Sequence, residues 1–149
     1  MPEGGRDCAG AERIVTEDLS WRFRTVAAAL VIPPLLHVWS LERLSQRLAT
    51  CSRHGIAAAA PPPDSTAWRV DRVLTVLPWP WRRTCLKRAT TLFYLLRLSG
   101  YPVELRVGVR REKGDKLEAH AWLTLRGEPF LEPPSADVPT FSPIATFGT

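Results

Sequence analysis

The run from Thr84 to Ser99 constrains the fold more than any other stretch. Leu86, Ala89, Leu92, Phe93, Leu95 and Leu96 cover much of the circumference of a helix, so that helix is expected to be enclosed by other elements instead of lying on a surface. Thr84 can cap its start, and Gly100 suits the position just past its end. The residues beyond Gly100 read as strands. Val103, Leu105, Val107 and Val109 alternate onto one face from Pro102 to Arg110, and Gly114-Asp115 signals a turn. Residues 117–125 and 128–132 read as a hairpin about Arg126-Gly127, and a Pro-rich loop over 133–143 precedes a short strand from Ile144 to Phe147. A central helix followed by an antiparallel sheet is an α+β arrangement.

Upstream, 1–17 reads as a tail and 18–49 as helices broken at Pro33-Pro34. Asp18 or Ser20 can cap the first piece and Ser40 the second, in which Leu41, Leu44 and Leu48 recur at helical spacing. The prolines of 55–64 favour an extended linker. A helix from Asp64 or Ser65 to about Leu77 puts Val70, Val73, Leu74 and Leu77 on one face. Pro78-Trp79-Pro80-Trp81 ends it as a rigid aromatic loop, with Trp79 and Trp81 expected to line a groove beside Cys85. The expected division is a tail over 1–17, a helical region with its linker over 18–64, and a chemical domain over 65–149.

A chain of 149 residues, 45% of them hydrophobic and 23% charged, can fold as one domain with a real core. Lys and Arg exceed Asp and Glu by 20 to 15. They fall in scattered pairs such as Arg82-Arg83, Lys87-Arg88 and Arg110-Arg111, which reads as a solvated surface and not a nucleic-acid stripe. Cys8, Cys51 and Cys85 form no CxxC pair, which argues against a disulfide scaffold and for a reducing, cytoplasmic setting. Met1 to Ala11 shows no secretory signal. The apolar run from Val26 to Trp39, interrupted by Pro33-Pro34, falls short of the roughly 20 residues a spanning helix needs, so membrane contact is not expected. Cys51-x-x-His54 lacks a second ligand pair and no Gly-rich phosphate loop is visible, so neither a metal nor a cofactor is expected.

Cys85 falls in the first turn of the enclosed helix. Unpaired N–H groups and the positive end of the helix dipole favour a thiolate there, with a pKa below the free value of about 8.5. His120 is the natural base, on a strand where His120 and Trp122 share one face. The third member depends on the hairpin. A three-residue turn, Leu125-Arg126-Gly127, sets Thr124 against Glu128, Trp122 against Phe130 and His120 against Glu132. Opposed residues lie roughly 5 Å apart, and the Glu132 carboxylate could then hold the imidazole. A two-residue turn places Glu132 on the opposite face. Glu128 and Asp137 are the alternative carboxylates.

Cys85-Leu86-Lys87-Arg88-Ala89, Leu95-Leu96 before Gly100-Tyr101-Pro102-Val103-Glu104-Leu105, Val107-Gly108-Val109 and Ala119-His120-Ala121-Trp122-Leu123 together resemble the transglutaminase-like leader peptidases of lasso-peptide biosynthesis. The resemblance covers 65–147 and implies a papain/transglutaminase-type core behind N-terminal helices. By position it makes Cys85 the nucleophile, His120 the base and Glu132 the acid, where that family commonly has Asp. It implies a cysteine endopeptidase that removes the leader of a ribosomally made precursor. Some relatives carry a leader-recognition domain at the N-terminus. Residues 1–64 show no strand pattern for one, so the resemblance is to the stand-alone subunit. The implied partners are the precursor peptide, a separate recognition protein and an asparagine-synthetase-like cyclase. Acyl transfer to an amine and a non-catalytic precursor-binding role are the alternatives. A complete Cys, His and carboxylate set argues against the latter.

Overall fold

The computed structural model of the protein describes residues 7–52, 60–79, 81–111 and 116–148. Gly114-Asp115, Pro80, His54 and residues 55–59 of the expected linker lie outside them, as does the side chain of Cys8. Helix α1 (Asp7–Val38) is continuous. It takes in most of the expected tail, so Asp18 and Ser20 are interior residues and not caps. It also runs through Pro33-Pro34, where a break was expected. A proline inside a helix leaves the carbonyl four residues earlier without its donor. Pro34 does this to Leu30, and the Trp81 indole N–H donates to that carbonyl at 2.7 Å. The helix therefore holds a stretch, Glu17–Val38, of 22 residues with mean hydropathy 1.2, long and apolar enough to cross a membrane by length and composition. The shorter run expected from sequence assumed the break. On its inner side Trp21, Thr25, Ala28, Ala29 and Ile32 are buried.

Helix α2 (Leu41–Ser52) starts where expected, with the Ser40 hydroxyl accepting from the Arg43 N–H at 3.5 Å. Helix α3 (Pro63–Val76) begins slightly before Asp64, because proline is accepted in a first helical turn where no N–H is needed. It stops at Leu77, which is extended ahead of Pro78. Helix α4 (Cys85–Leu98) is the enclosed one. Thr84 Oγ1 accepts from the Lys87 N–H at 3.4 Å. At the far end the Tyr101 N–H reaches the Leu96 carbonyl and the Gly100 N–H the Arg97 carbonyl, closing the helix around Gly100 at φ 88°.

The sheet has strand order β3-β2-β1-β4 and is antiparallel throughout. Its strands are β1 (Val103–Arg111), β2 (Leu117–Leu125), β3 (Glu128–Phe130) and β4 (Ser142–Phe147). Helix α4 packs against β1 and β2 on one side and against α1, α2 and α3 on the other. Leu92, Phe93, Leu95, Leu96, Val103, Leu105, Ala121 and Leu123 share one core with Trp21, Ala29, Ile32, Val70 and Leu74. Trp122, Val138 and Phe141 form a smaller cluster, reached from the alternate positions of the strands.

The hairpin differs from the expected one. Leu125 pairs with Glu128 and Leu123 with Phe130, so the turn has two residues, Arg126 (φ 54°) and Gly127 (φ 89°). Left-handed geometry at both central residues matches the twist of the flanking strands. The three-residue register, which set His120 against Glu132, is therefore wrong. Strand β3 also ends at Phe130 and not at Glu132, because Leu131 takes φ 59° and turns the chain out of the sheet.

Candidate functional site

Three elements bring the predicted residues to one place. Cys85 opens α4 and is half-buried. His120 lies in β2 opposite Gly108 of β1. Glu132 follows the turn at Leu131. All three line a cavity of about 220 Å³ together with Arg83, Thr84, Arg88, Ala121 and Pro133. The pairing of β2 with β3 stops at Leu123, so the β2 edge beside His120 is left open to this cavity.

The route by which Glu132 arrives is new. In the observed register an uninterrupted β3 would carry it away from His120. The left-handed Leu131 reverses that outcome and brings Glu132 Oε2 to 3.4 Å from His120 Nε2. With Nε2 facing the carboxylate, Nδ1 is the ring nitrogen left to exchange a proton with a thiol. The ring is held from the sides as well. Trp122 lies nearly parallel to it, with centroids 6.0 Å apart, and Phe141 is at 5.2 Å. Trp122 in turn occupies space that a side chain at position 108 would fill: a Cβ there would lie 2.6 Å from Trp122 Cη2.

Arg88 lies behind Glu132. Its side chain is 9% exposed, and the guanidinium donates from Nε to Asp71 Oδ1 at 2.7 Å, from Nη1 to Glu132 Oε1 at 3.2 Å and from Nη2 to the Leu131 carbonyl at 2.9 Å. Burial pushes the Glu132 carboxyl above the usual carboxylate range, with Arg88 and His120 opposing the rise. The sequence reading set Arg88 on a solvated surface in the pair Lys87-Arg88, whereas both residues are buried, and it missed this contact. A signal existed: Arg88 is three residues after Cys85, which puts the two on one helix face.

The alternative carboxylates lie elsewhere. Glu128 is exposed on β3 opposite Leu125, and Asp137 is 60% exposed and faces Arg110 at 3.6 Å. Trp79 is exposed and Trp81 is bonded to α1. Neither lines the cavity, so the expected aromatic groove does not form there. Chemically, a thiol at a helix start, an imidazole and a buried carboxylate around one opening can support nucleophilic attack on a carbonyl.

No curated protein and no solved structure matches the chain significantly. The sequence profile of the transglutaminase-like superfamily matches residues 13–146, from within α1 into β4. With the N-terminal helices and the sheet inside a single match, the chain belongs to the transglutaminase-like superfamily.

Proposed function

We propose that the protein is a cytoplasmic cysteine endopeptidase that removes the leader peptide from a lasso-peptide precursor. The observation that carries this reading is the convergence of Cys85, His120 and Glu132 on one cavity, with the imidazole against the carboxylate. The superfamily includes both cysteine proteases and acyltransferases. The combined resemblance over 65–147 supports the narrower role. In this reading Cys85 Sγ attacks the scissile carbonyl and His120 Nδ1 takes the thiol proton. Collapse of the tetrahedral adduct breaks the C–N bond, and the imidazolium gives its proton to the departing amine. Water, deprotonated by His120, then hydrolyses the thioester and frees the Cys85 thiol. Backbone N–H groups at the start of α4, that of Cys85 included, would stabilise the oxyanion. Glu132 holds the ring and balances its positive charge.

The partners proposed are the precursor, a separate leader-recognition protein that raises the local concentration of substrate, and an asparagine-synthetase-like cyclase that takes the trimmed core peptide. The test is to incubate the protein with precursor, with and without a leader-binding protein, and to weigh the products by mass spectrometry. Clean leader and core masses are expected, with cleavage much faster when the recognition protein is present and lost in Cys85→Ala. An amine adduct in place of hydrolysis would assign acyl transfer instead, and cleavage by Cys85→Ala would end the nucleophile assignment. Cys51, exposed on α2, provides the control: Cys51→Ala should keep its activity.

A further inference from the structure

The geometry points to Arg88 as the positioning residue of this site, a buried fork that holds Glu132 against His120 by gripping both the side chain and the backbone turn that delivers it. The inference rests on the Cys85, His120 and Glu132 assignment above and adds to it a residue that borders the cavity but whose guanidinium is engaged by Asp71, Glu132 and Leu131. Two facts of the fold make such a residue necessary. The hairpin register, Leu125 with Glu128 and Leu123 with Phe130, directs an uninterrupted β3 away from His120. The reversal then depends on Leu131 at φ 59°, a conformation that leucine keeps only where its surroundings hold it.

Arg88 supplies that hold at the two points that matter. Nη2 takes the Leu131 carbonyl and Nη1 takes Glu132 Oε1, so one planar group fixes consecutive residues of the turn. Glu132 Oε2 then remains for His120 Nε2. The orientation of the fork is set from its other side by Asp71 of α3, at 2.7 Å from Nε. The charged or titratable groups in this neighbourhood are Asp71 from α3, Arg83 ahead of α4, Cys85 and Arg88 from α4, and His120 from β2. Of these, Arg88 is the cation bonded to Glu132. A lysine carries the same charge as a compact point and cannot span these partners at once.

The test is a double-mutant cycle read without any peptide substrate. Arg88→Lys, Glu132→Gln and the double variant are compared with the wild type by the rate at which iodoacetamide alkylates Cys85 at neutral pH. Arg88→Lys is expected to slow alkylation several-fold in the wild-type background and to add nothing once Glu132 is Gln, because Arg88 acts through that carboxylate. Precursor turnover should follow the same pattern, with kcat reduced and KM unchanged. Equal slowing in both backgrounds, or full reactivity in a folded Arg88→Lys protein, overturns the inference. Should Arg88→Lys fail to fold, Asp71→Asn leaves Arg88 in place and carries the same cycle. A cycle that behaves as expected in a protein that cleaves no precursor would count against the leader-peptidase reading and leave the role of Arg88 standing.

Discussion

Gly108→Ala tests how the site is held from the sheet side. A Cβ built at position 108 meets Trp122 Cη2 at 2.6 Å, Trp122 Cζ3 at 2.9 Å and the Ser142 carbonyl at 2.8 Å. Carbon atoms rest at about 3.5–4.0 Å, so the indole must withdraw by roughly 1 Å. Retreat on the other side is blocked by backbone, since Ser142 begins β4 and its neighbour Pro143 pairs with Gly108. Overpacking of this kind costs about 1–3 kcal/mol, which for a chain of this size lowers Tm by roughly 2–4 °C per kcal/mol. Trp122 also lies along the His120 ring, so the displaced indole carries the imidazole with it. An error of about 1 Å at the reacting centre can reduce rate about 10²-fold. Differential scanning fluorimetry and precursor cleavage well below Tm, compared with Gly127→Ala, separate the two effects. Gly127 has φ 89° with nothing within 4 Å of its missing Cβ, so its replacement should cost about 1 kcal/mol in stability and no turnover. If Gly108→Ala loses stability and keeps wild-type turnover at that lower temperature, Trp122 does not set the position of His120 and the reasoning fails.

Glu132→Gln should lower turnover by less than the roughly 10⁴ seen for the orienting acid of the serine-protease template, because a thiol leans less on its base. Glu128→Gln and Asp137→Asn should remain near wild type, and a damaging Asp137→Asn would reassign the acid. Stability should carry a matching pH signature. Burial lifts the folded Glu132 pKa above its ordinary value of 4.5, so this group contributes stability that is fully present below 4.5 and is lost as pH rises through the lifted value. Urea unfolding from mildly acidic to neutral pH should show the wild type losing stability relative to Glu132→Gln, and a gap independent of pH would contradict this. Trp81→Phe, which leaves the Leu30 carbonyl without its indole donor, should cost about 1 kcal/mol by the same assay, and an unchanged midpoint would show that water replaces the bond without loss.

The central helix was legible from sequence because its apolar positions, its Thr84 cap and its Gly100 terminator all agree. The bounds of β2 were legible for the same kind of reason, since apolar residues alternate from Leu117 to Leu125 with Trp122 as the one exception. Tertiary partners were not. Pro33-Pro34 read as a break because nothing local shows that Trp81 would serve the Leu30 carbonyl. Glu132 was selected for a register that does not exist, and it reaches His120 through a left-handed leucine that no propensity would suggest. Arg88 read as part of a solvated pair because its partners come from α3 and from the end of the hairpin. Local periodicity located Cys85 at a helix start and His120 on a strand. The placement of Glu132 and of Arg88 behind it is set by contacts distant in sequence.

The bond between Trp81 and Leu30 joins residues 51 positions apart, and it bears on where the protein can be cut. The loop that leads into Cys85 is moored to α1, and α4 buries residues in one core with Trp21, Ala29 and Ile32 of that helix. Excising 65–149, the stretch that holds every residue of the site, would strip α4 of part of its apolar cover and leave the loop without its anchor. The chemically equipped segment is thus not a separable module. Its geometry is built jointly with helices that contribute no reacting group, so N-terminal truncations should be read as changes to the site itself.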